Sequence, residues 1–317
     1  MLGGSEVRFA LHFWTSSIRV PVPSISRWEN GARVDLSQTD KLFWLSRTRR
    51  VGVFIVAALD ADASAYGVGG FVADQTEWNK FEAVWTPTRE RLAAAGKTFH
   101  MTDCELGHND FSGMDRNTER VPIIKALVDS IVSAKMWAIH TAIQVPVFNA
   151  VFPGEGERSM YYLCFASIVR ELALIGNDNN EPVAFAFEQK APFEFMCLAI
   201  YEEMKRQTAW PGSRRLGTIG FYKKGDLDAL SAADLLAYEG VKVLSETLNP
   251  SGRPLRRSMA RIRDTERLRG RQWDEPALKE VRGFVDAHGK KTLRDFFESI
   301  TPSVMKELQA AWTKRPR

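Results

Sequence analysis

The chain is short of the residues that build several common kinds of site. It has three cysteines, Cys104, Cys164 and Cys197, in 317 residues. They are scattered and odd in number, which excludes a disulfide framework and a paired-cysteine metal motif, and suits a reducing, cytoplasmic setting. No apolar run approaches the length that spans a bilayer, and the longest strongly apolar one is Val51 to Leu59. The first residues lack a basic stretch, an apolar core and a small-residue cleavage site, so no secretory signal is expected. There is no complete Gly-x-x-x-x-Gly-Lys-Ser/Thr phosphate loop and no Gly-x-Ser-x-Gly nucleophile elbow. Gly67-Val-Gly69-Gly70 falls short of the dinucleotide fingerprint and lies inside an expected hairpin rather than between a strand and a helix.

What is present is the composition of a soluble globular protein. Hydrophobic residues make up 44% and charged residues 26%, enough for one large domain or two modest ones. The net charge of +4 is unevenly spread. Eight arginines lie between Arg253 and Arg271 against only Asp264 and Glu266, so the rest of the chain is near neutral or slightly acidic. Such a block suits a phosphate backbone, with Arg256, Arg257, Arg261 and Arg263 as candidate nucleic-acid contacts. It equally suits a solvated helix face.

Residues 1–48, with Val20-Pro-Val-Pro23 and no sustained period, read as a partly disordered extension. A translation start assigned too far upstream would look the same. Val51 to Leu59 then has the length and β-branching of a buried strand, and it runs into Asp60-Ala-Asp-Ala-Ser64. Phe54, Val56, Ala58, Asp60 and Asp62 share one face if the strand persists. Two carboxylates at the end of a core strand need a partner, unless they belong to an Asp-rich turn. Tyr66 to Ala73 reads as the second strand of a hairpin, with glycines that permit close packing. Helical periods over 75–95, 121–131, 157–175 and 193–206 alternate with strands at 136–145, 183–188 and 216–222. Pro87 is expected to kink or break the first helix, Gly176 to stop the third, and 98–103 to be extended. Beyond 250 the chain reads as basic and helical, with helix starts at Asp274-Glu-Pro276 and Thr301-Pro302. The whole describes a mixed α/β sheet flanked by helices.

The segment Leu230 to Glu239 opens a further helix. Asp234 stands there among alanines and leucines. With Ser231 three residues earlier it forms a capping box in the first turn, unless a cation from elsewhere meets it. Asp60 or Asp62, Glu188 and Asp234 thus lie at two strand ends and near one helix start, positions that converge in many sheets. Converging carboxylates hold hard divalent ions, Mg²⁺ or Mn²⁺, which keep waters and phosphate oxygens as their other ligands. A pair of such ions activates water and stabilises the leaving oxygen of a phosphodiester. His100, three residues before Asp103, is placed to orient the water or touch the phosphate, or else is a structural histidine. His100, Cys104 and His108 fall at intervals of four, the spacing of a compact zinc motif, although Gly107 interrupts any helix there.

The order of motifs resembles domain-of-unknown-function family 3800, a bacterial group. The stretches that carry the resemblance are Asp60 to Ser64, Gly69-Gly-Phe-Val-Ala73, Glu77-Trp78, Phe99-His-Met-Thr-Asp103, Phe187-Glu188 and Ala232 to Glu239, all within 51–248. In the first of them Asp62-Ala63-Ser64 answers the family's Asp-Ala-Ser, but Ala65 stands where glycine is usual. Asp62 fits the motif and Asp60 fits the strand geometry, so both remain candidates. The resemblance implies a ribonuclease H-like fold over 49–250, between the extension at 1–48 and a basic helical region at 251–317. It further implies a Mg²⁺- or Mn²⁺-dependent nuclease or phosphodiesterase acting on nucleic acid. Asp60 or Asp62, Glu188 and Asp234 would be its metal ligands, and His100 would assist. The alternative expectation is a non-catalytic nucleic-acid-binding or defence-complex module on the same fold.

Overall fold

The first hairpin sets the frame. β1 (Val53–Ala61) and β2 (Ala65–Ala73) pair antiparallel, with Asp60 opposite Gly67 and Ala58 opposite Gly69. The turn between them is tied by Asp62, whose Oδ1 accepts the N–H and hydroxyl of Ser64 and the N–H of Ala65, each at 2.9 Å. The computed structural model describes residues 53–302, apart from 191 and 209, together with 306. The expected extension at 1–48 and most of the expected helix after Thr301 lie outside the described residues.

β3 (Trp137–Gln144) adds antiparallel to β2, and β4 (Val183–Glu188) adds parallel to β1. β5 (Leu216–Tyr222) continues parallel beyond β4, and β6 (Leu268–Trp273) runs parallel beyond β3. The result is a six-stranded mixed sheet in the order β5-β4-β1-β2-β3-β6.

Helices cover both faces. On one lie α4 (Val145–Val151), α5 (Glu157–Asp178), α6 (Glu194–Arg206), α9 (Glu275–Ala287) and α10 (Leu293–Ile300). On the other lie α1 (Gln75–Ala94), α2 (Met101–Leu106), α3 (Val121–Ser133), α7 (Ala229–Leu248) and α8 (Arg257–Arg263). Among the described residues, α5 alone is long and apolar enough to cross a membrane, and 89% of its most apolar window is buried inside the protein.

β4 shows how sequence sorts the two faces. Its Phe185 and Phe187 fill the core under α5, while Ala184 and Ala186 lie under α7. Small residues recur on that second face, and α7 uses them to come close. A Cβ on Gly69 would stand 2.4 Å from the backbone N of Ala237. His140 of β3 lies directly opposite Gly69 and pushes its ring into α7, where a Cβ on Gly240 would meet Nε2 at 1.9 Å. Gly67, Gly69 and Gly240 therefore form a seat for one helix and one imidazole.

Four elements depart from the sequence expectation. α1 runs unbroken through Pro87, because Trp78, Phe81 and Trp85 before the proline and Leu92 after it are all anchored in the core. α5 continues past Gly176, which serves close packing instead of termination: a Cβ there would lie 2.4 Å from Val183 Cγ2. The stretch after His100 is a short helix, ended by Gly107 at φ 73°. The segment beyond 250 contributes β6 to the central sheet, so a boundary at 250 does not divide it. The β6 arginines lie over aromatic rings, Arg269 over Trp137 at 4.8 Å and Arg271 over Trp273 at 4.1 Å.

Gly69→Ala is expected to destabilise the fold by about 2–3 kcal/mol, since helix backbone cannot yield as a side chain does. Gly283→Ala, on an exposed part of α9 with open space around it, is expected to stabilise by about 0.5–1 kcal/mol. Urea denaturation of the two variants beside the parent checks both signs.

Candidate carboxylate site

The β1–β2 register turns Asp60 to the α7 face, opposite Gly67. Glu188 ends β4 two residues beyond Ala186, on the same face. α7 begins at Ala229, so Asp234 lies in its second turn, and its side chain is only 3% exposed. The capping reading of Asp234 is therefore overturned. Its Oδ2 accepts the Met101 N–H at 2.6 Å, from the start of α2, and its Oδ1 accepts Lys224 Nζ at 2.9 Å. The residue at the N-cap position is Asp228, which is held by Thr86 Oγ1 at 2.8 Å and Arg89 Nε at 2.9 Å.

Lys224 is the residue that joins the group. Its ammonium also reaches Glu188 Oε1 at 3.4 Å. His100 lies across from it, with Nδ1 2.9 Å from Asp103 Oδ2 and Nε2 3.8 Å from Asp234 Oδ1. A carboxylate only accepts, so Nδ1–H is the donor to Asp103, and Nε2 is left to face the cleft. Asp60 accepts a long bond of 3.3 Å from Thr102 Oγ1. Asp60, Glu188, His100 and Lys224 line a cleft of about 440 Å³ across the ends of β1 and β4, whose far wall includes Glu157 and Tyr161 of α5.

Asp62 does not share this arrangement. Besides the turn bonds, its Oδ2 accepts Ser245 Oγ at 2.8 Å and Lys242 Nζ at 3.1 Å, so both oxygens are engaged away from the cleft. The two aspartates accordingly titrate in opposite directions. Burial raises the Asp60 carboxyl above its ordinary value, and the charge of Asp234 adds to it, against weaker help from Ala61 N–H, Lys242 and Thr102. Burial also works against the charge on Asp62, but hydrogen bonds from Ser64, Ser245 and Ala65 outweigh it and hold the carboxyl down to about 2. Glu188 is raised, chiefly by burial and further by Asp234, despite Lys224 and His100. On Lys224 burial opposes the charge, yet Asp234 and Glu188 together hold its ammonium above the ordinary value.

Three carboxylates lie on one face, two of them raised by burial, and carboxylate oxygens are the donors that a hard divalent cation takes. Among the described residues no three acidic, histidine or cysteine side chains already converge on a single point. Lys224 holds Glu188 and Asp234 around its own charge instead. The zinc arrangement does not form. Cys104 is buried in the core with its thiol toward the Arg120 carbonyl, whereas His108 is exposed.

The arginine-rich stretch is partly consumed internally. Arg256 Nε lies 3.0 Å from the fully buried Glu239, its Nη2 lies 3.2 Å from Glu105, and its guanidinium covers the Tyr238 ring at 5.2 Å. Arg257, Arg261 and Arg263 are exposed on α8, where Arg261 pairs with Asp129 and Arg263 with Asp264. Sequence reasoning missed Lys224 and the support that Asp103 gives His100. Asp103 closes the Phe-His-x-x-Asp motif, which is the signal that pointed to it, while nothing local distinguishes Lys224 from Lys223.

These features define an α/β protein with an acidic, cation-bridged cleft at its strand ends. No protein-family model and no curated protein matches the chain significantly.

The opposed titrations give a paired test in metal-free buffer. A carboxyl raised in the fold favours stability below its ordinary value of 3.8 and loses that contribution as pH rises through the folded value. Asp60→Asn should therefore melt above the parent at pH 7, and the gain should vanish below about pH 3.8. A carboxyl lowered to about 2 stabilises above its ordinary 3.8 and loses this as pH falls toward 2. Asp62→Asn should melt below the parent at pH 7 and approach it near pH 2. Thermal melts across pH read both.

Proposed function

We propose that the protein is a divalent-metal-dependent nuclease or phosphodiesterase acting on nucleic acid, on a ribonuclease H-like sheet. The observation that carries this reading is that Asp60 and Glu188 line one cleft with His100, while Asp234, on a third element far apart in sequence, is near enough to raise both carboxyls. Two carboxyls raised by burial in one cleft, one of them beside a lysine, are the pattern of a functional site. The fold reading is supported by three strands that pair antiparallel in sequence order, continued by two parallel strands on the far side of β1. It is supported too by one acid on the first strand, one on a later strand and one on the helix that follows the fifth strand, close to what the family resemblance implies.

Asp60, Glu188 and Asp234 would hold Mg²⁺ or Mn²⁺. When bound, the ion supplies charge neutralisation at phosphate oxygens and a more acidic water. His100, fixed by Asp103, presents Nε2 to take the proton of the attacking water or to hold a phosphate oxygen. The oxygen of water bonds to phosphorus as an ester P–O bond breaks, leaving a phosphate on one product and a hydroxyl on the other. The exposed arginines of α8 supply positive charge for a phosphate backbone, whereas Arg256 is taken up by Glu239 and Glu105, and Lys242 by Asp62. Three buried, unpaired thiols suit a cytoplasmic setting. One observation favours the non-catalytic reading: Lys224 already neutralises part of the acid cluster. On that reading the fold binds nucleic acid without cutting it.

Labelled DNA and RNA panels with Mg²⁺ or Mn²⁺ separate the two. Cutting is expected from the parent, no detectable cutting from Asp234→Asn and Glu188→Gln, and roughly a hundredfold slower cutting from His100→Ala. Cutting that survives both carboxylate changes, or none by the parent on any substrate, favours the binding module.

A further inference from the structure

We propose that the α5 side of the cleft is a pocket for one unpaired nucleoside unit, whose base or sugar accepts a hydrogen bond from the Tyr161 hydroxyl. The proposal rests on the nuclease reading above and deepens it: the substrate enters as a single strand. The cleft has two unlike sides. Asp60, His100 and Lys224 lie toward α7, whereas Val68, Phe187 and Tyr161 belong to the core under α5. A nucleotide has the same division, a charged phosphate joined to a far less polar sugar and base.

Tyr161 is the residue that points to a ligand. It stands in the second turn of α5, only 4% exposed, with its ring against Phe193 at 5.2 Å between centroids. Yet it lines the cleft, and among the described residues its hydroxyl has no hydrogen-bond partner. A hydroxyl taken out of water and left unpaired is destabilising, and an acceptor brought by a ligand removes that cost. Tyr66 and Tyr201 also lack partners, but their hydroxyls are sealed in the core, where no ligand reaches them. Burial, with Cys197 and Glu188 adding to it, holds the Tyr161 hydroxyl well above its ordinary value, so it stays protonated and can donate.

The size of the cleft sets the form of the substrate. At about 440 Å³ it falls in the lower part of the roughly 300–1,000 Å³ range of small-molecule sites. That is room for one nucleotide unit and not for the width of a double helix. A base within a duplex is stacked and paired, and must be extruded before a pocket of this size can take it, whereas an unpaired base needs no such step. Phe187 and Phe193 are nearly sealed, so neither offers an open ring for stacking. The hydrogen bond from Tyr161 is then the specific contact on this side.

The probes are AMP and UMP, 5′-monophosphates that hold no diester to cut, so binding is read without activity and with Mg²⁺ present throughout. Saturation-transfer NMR on the full chain is expected to show transfer from the parent to base and ribose protons. Tyr161→Phe, which removes only the hydroxyl, should weaken binding about three- to tenfold. Ala61→Trp, at the exposed lip of the cleft, should abolish it by filling the mouth. A single-stranded oligonucleotide should displace the bound mononucleotide, and a blunt duplex of the same sequence should not. No transfer from the parent, equal binding by Tyr161→Phe, or displacement by the duplex as complete as by the single strand overturns the proposal. Any of these beside metal-dependent cutting in the DNA and RNA panels leaves the nuclease reading standing. The expected binding without any cutting keeps the pocket and removes the catalytic reading instead.

Discussion

The approach of α7 to the sheet is the constraint on which the rest depends. Packed layers normally stand apart by the thickness of their side chains, about 10 Å for two stacked sheets. Here glycine at 69 lets the helix backbone itself reach the strand, and small residues at 58, 184 and 186 line the same face. Only because α7 sits this low does Asp234 arrive level with the ends of β1 and β4. The glycines of β2 thus belong to the site as much as the carboxylates do.

Bringing three acids together has a cost that the fold meets locally. Asp60 and Glu188 resist ionisation, and Lys224 supplies a counter-charge from a turn that glycine makes possible. Two residues from Asp60, Asp62 does the opposite work, stabilising the hairpin with every oxygen engaged. One short stretch therefore carries a carboxylate that strains the fold and another that secures it. Such local conflict is common where a structure has been shaped for something besides stability.

Much of the architecture was legible beforehand because its signals are local. The β-branched run to Leu59, the glycine-rich partner strand and the Phe-Ala alternation into Glu188 all became strands, and the acids expected to meet lie on one face. What escaped was set by partners distant in sequence. Ser231 and Asp234 have the spacing of a cap, but the helix starts earlier and Asp234 bonds to Met101, far away in the chain. Pro87 and Gly176 lost their usual meaning because core anchors and a tight strand contact outweighed local preference. β6 was hidden by its arginines. Leu268-Arg-Gly-Arg-Gln-Trp273 looks like a solvated basic segment until Trp137 and Trp273 are seen beneath two guanidiniums. The same contacts show why clustered arginines are a weak guide to a free basic surface.

The imidazole of His140 has a mechanical consequence. It is buried, its protonation is pushed down to about 4 by that burial, and it occupies the notch between Gly67 and Gly240 like a key in a slot. A helix packed only on smooth apolar surface can slide or roll by fractions of a turn. α7 has no such freedom, because any shift along its axis drives backbone or Cα into the ring. Asp234 is therefore indexed to the sheet, and so to Asp60 and Glu188, as one rigid wall. The Met101 N–H beside His100 and the Lys224 ammonium are both bonded to Asp234, so these two segments are indexed to the sheet through the same wall.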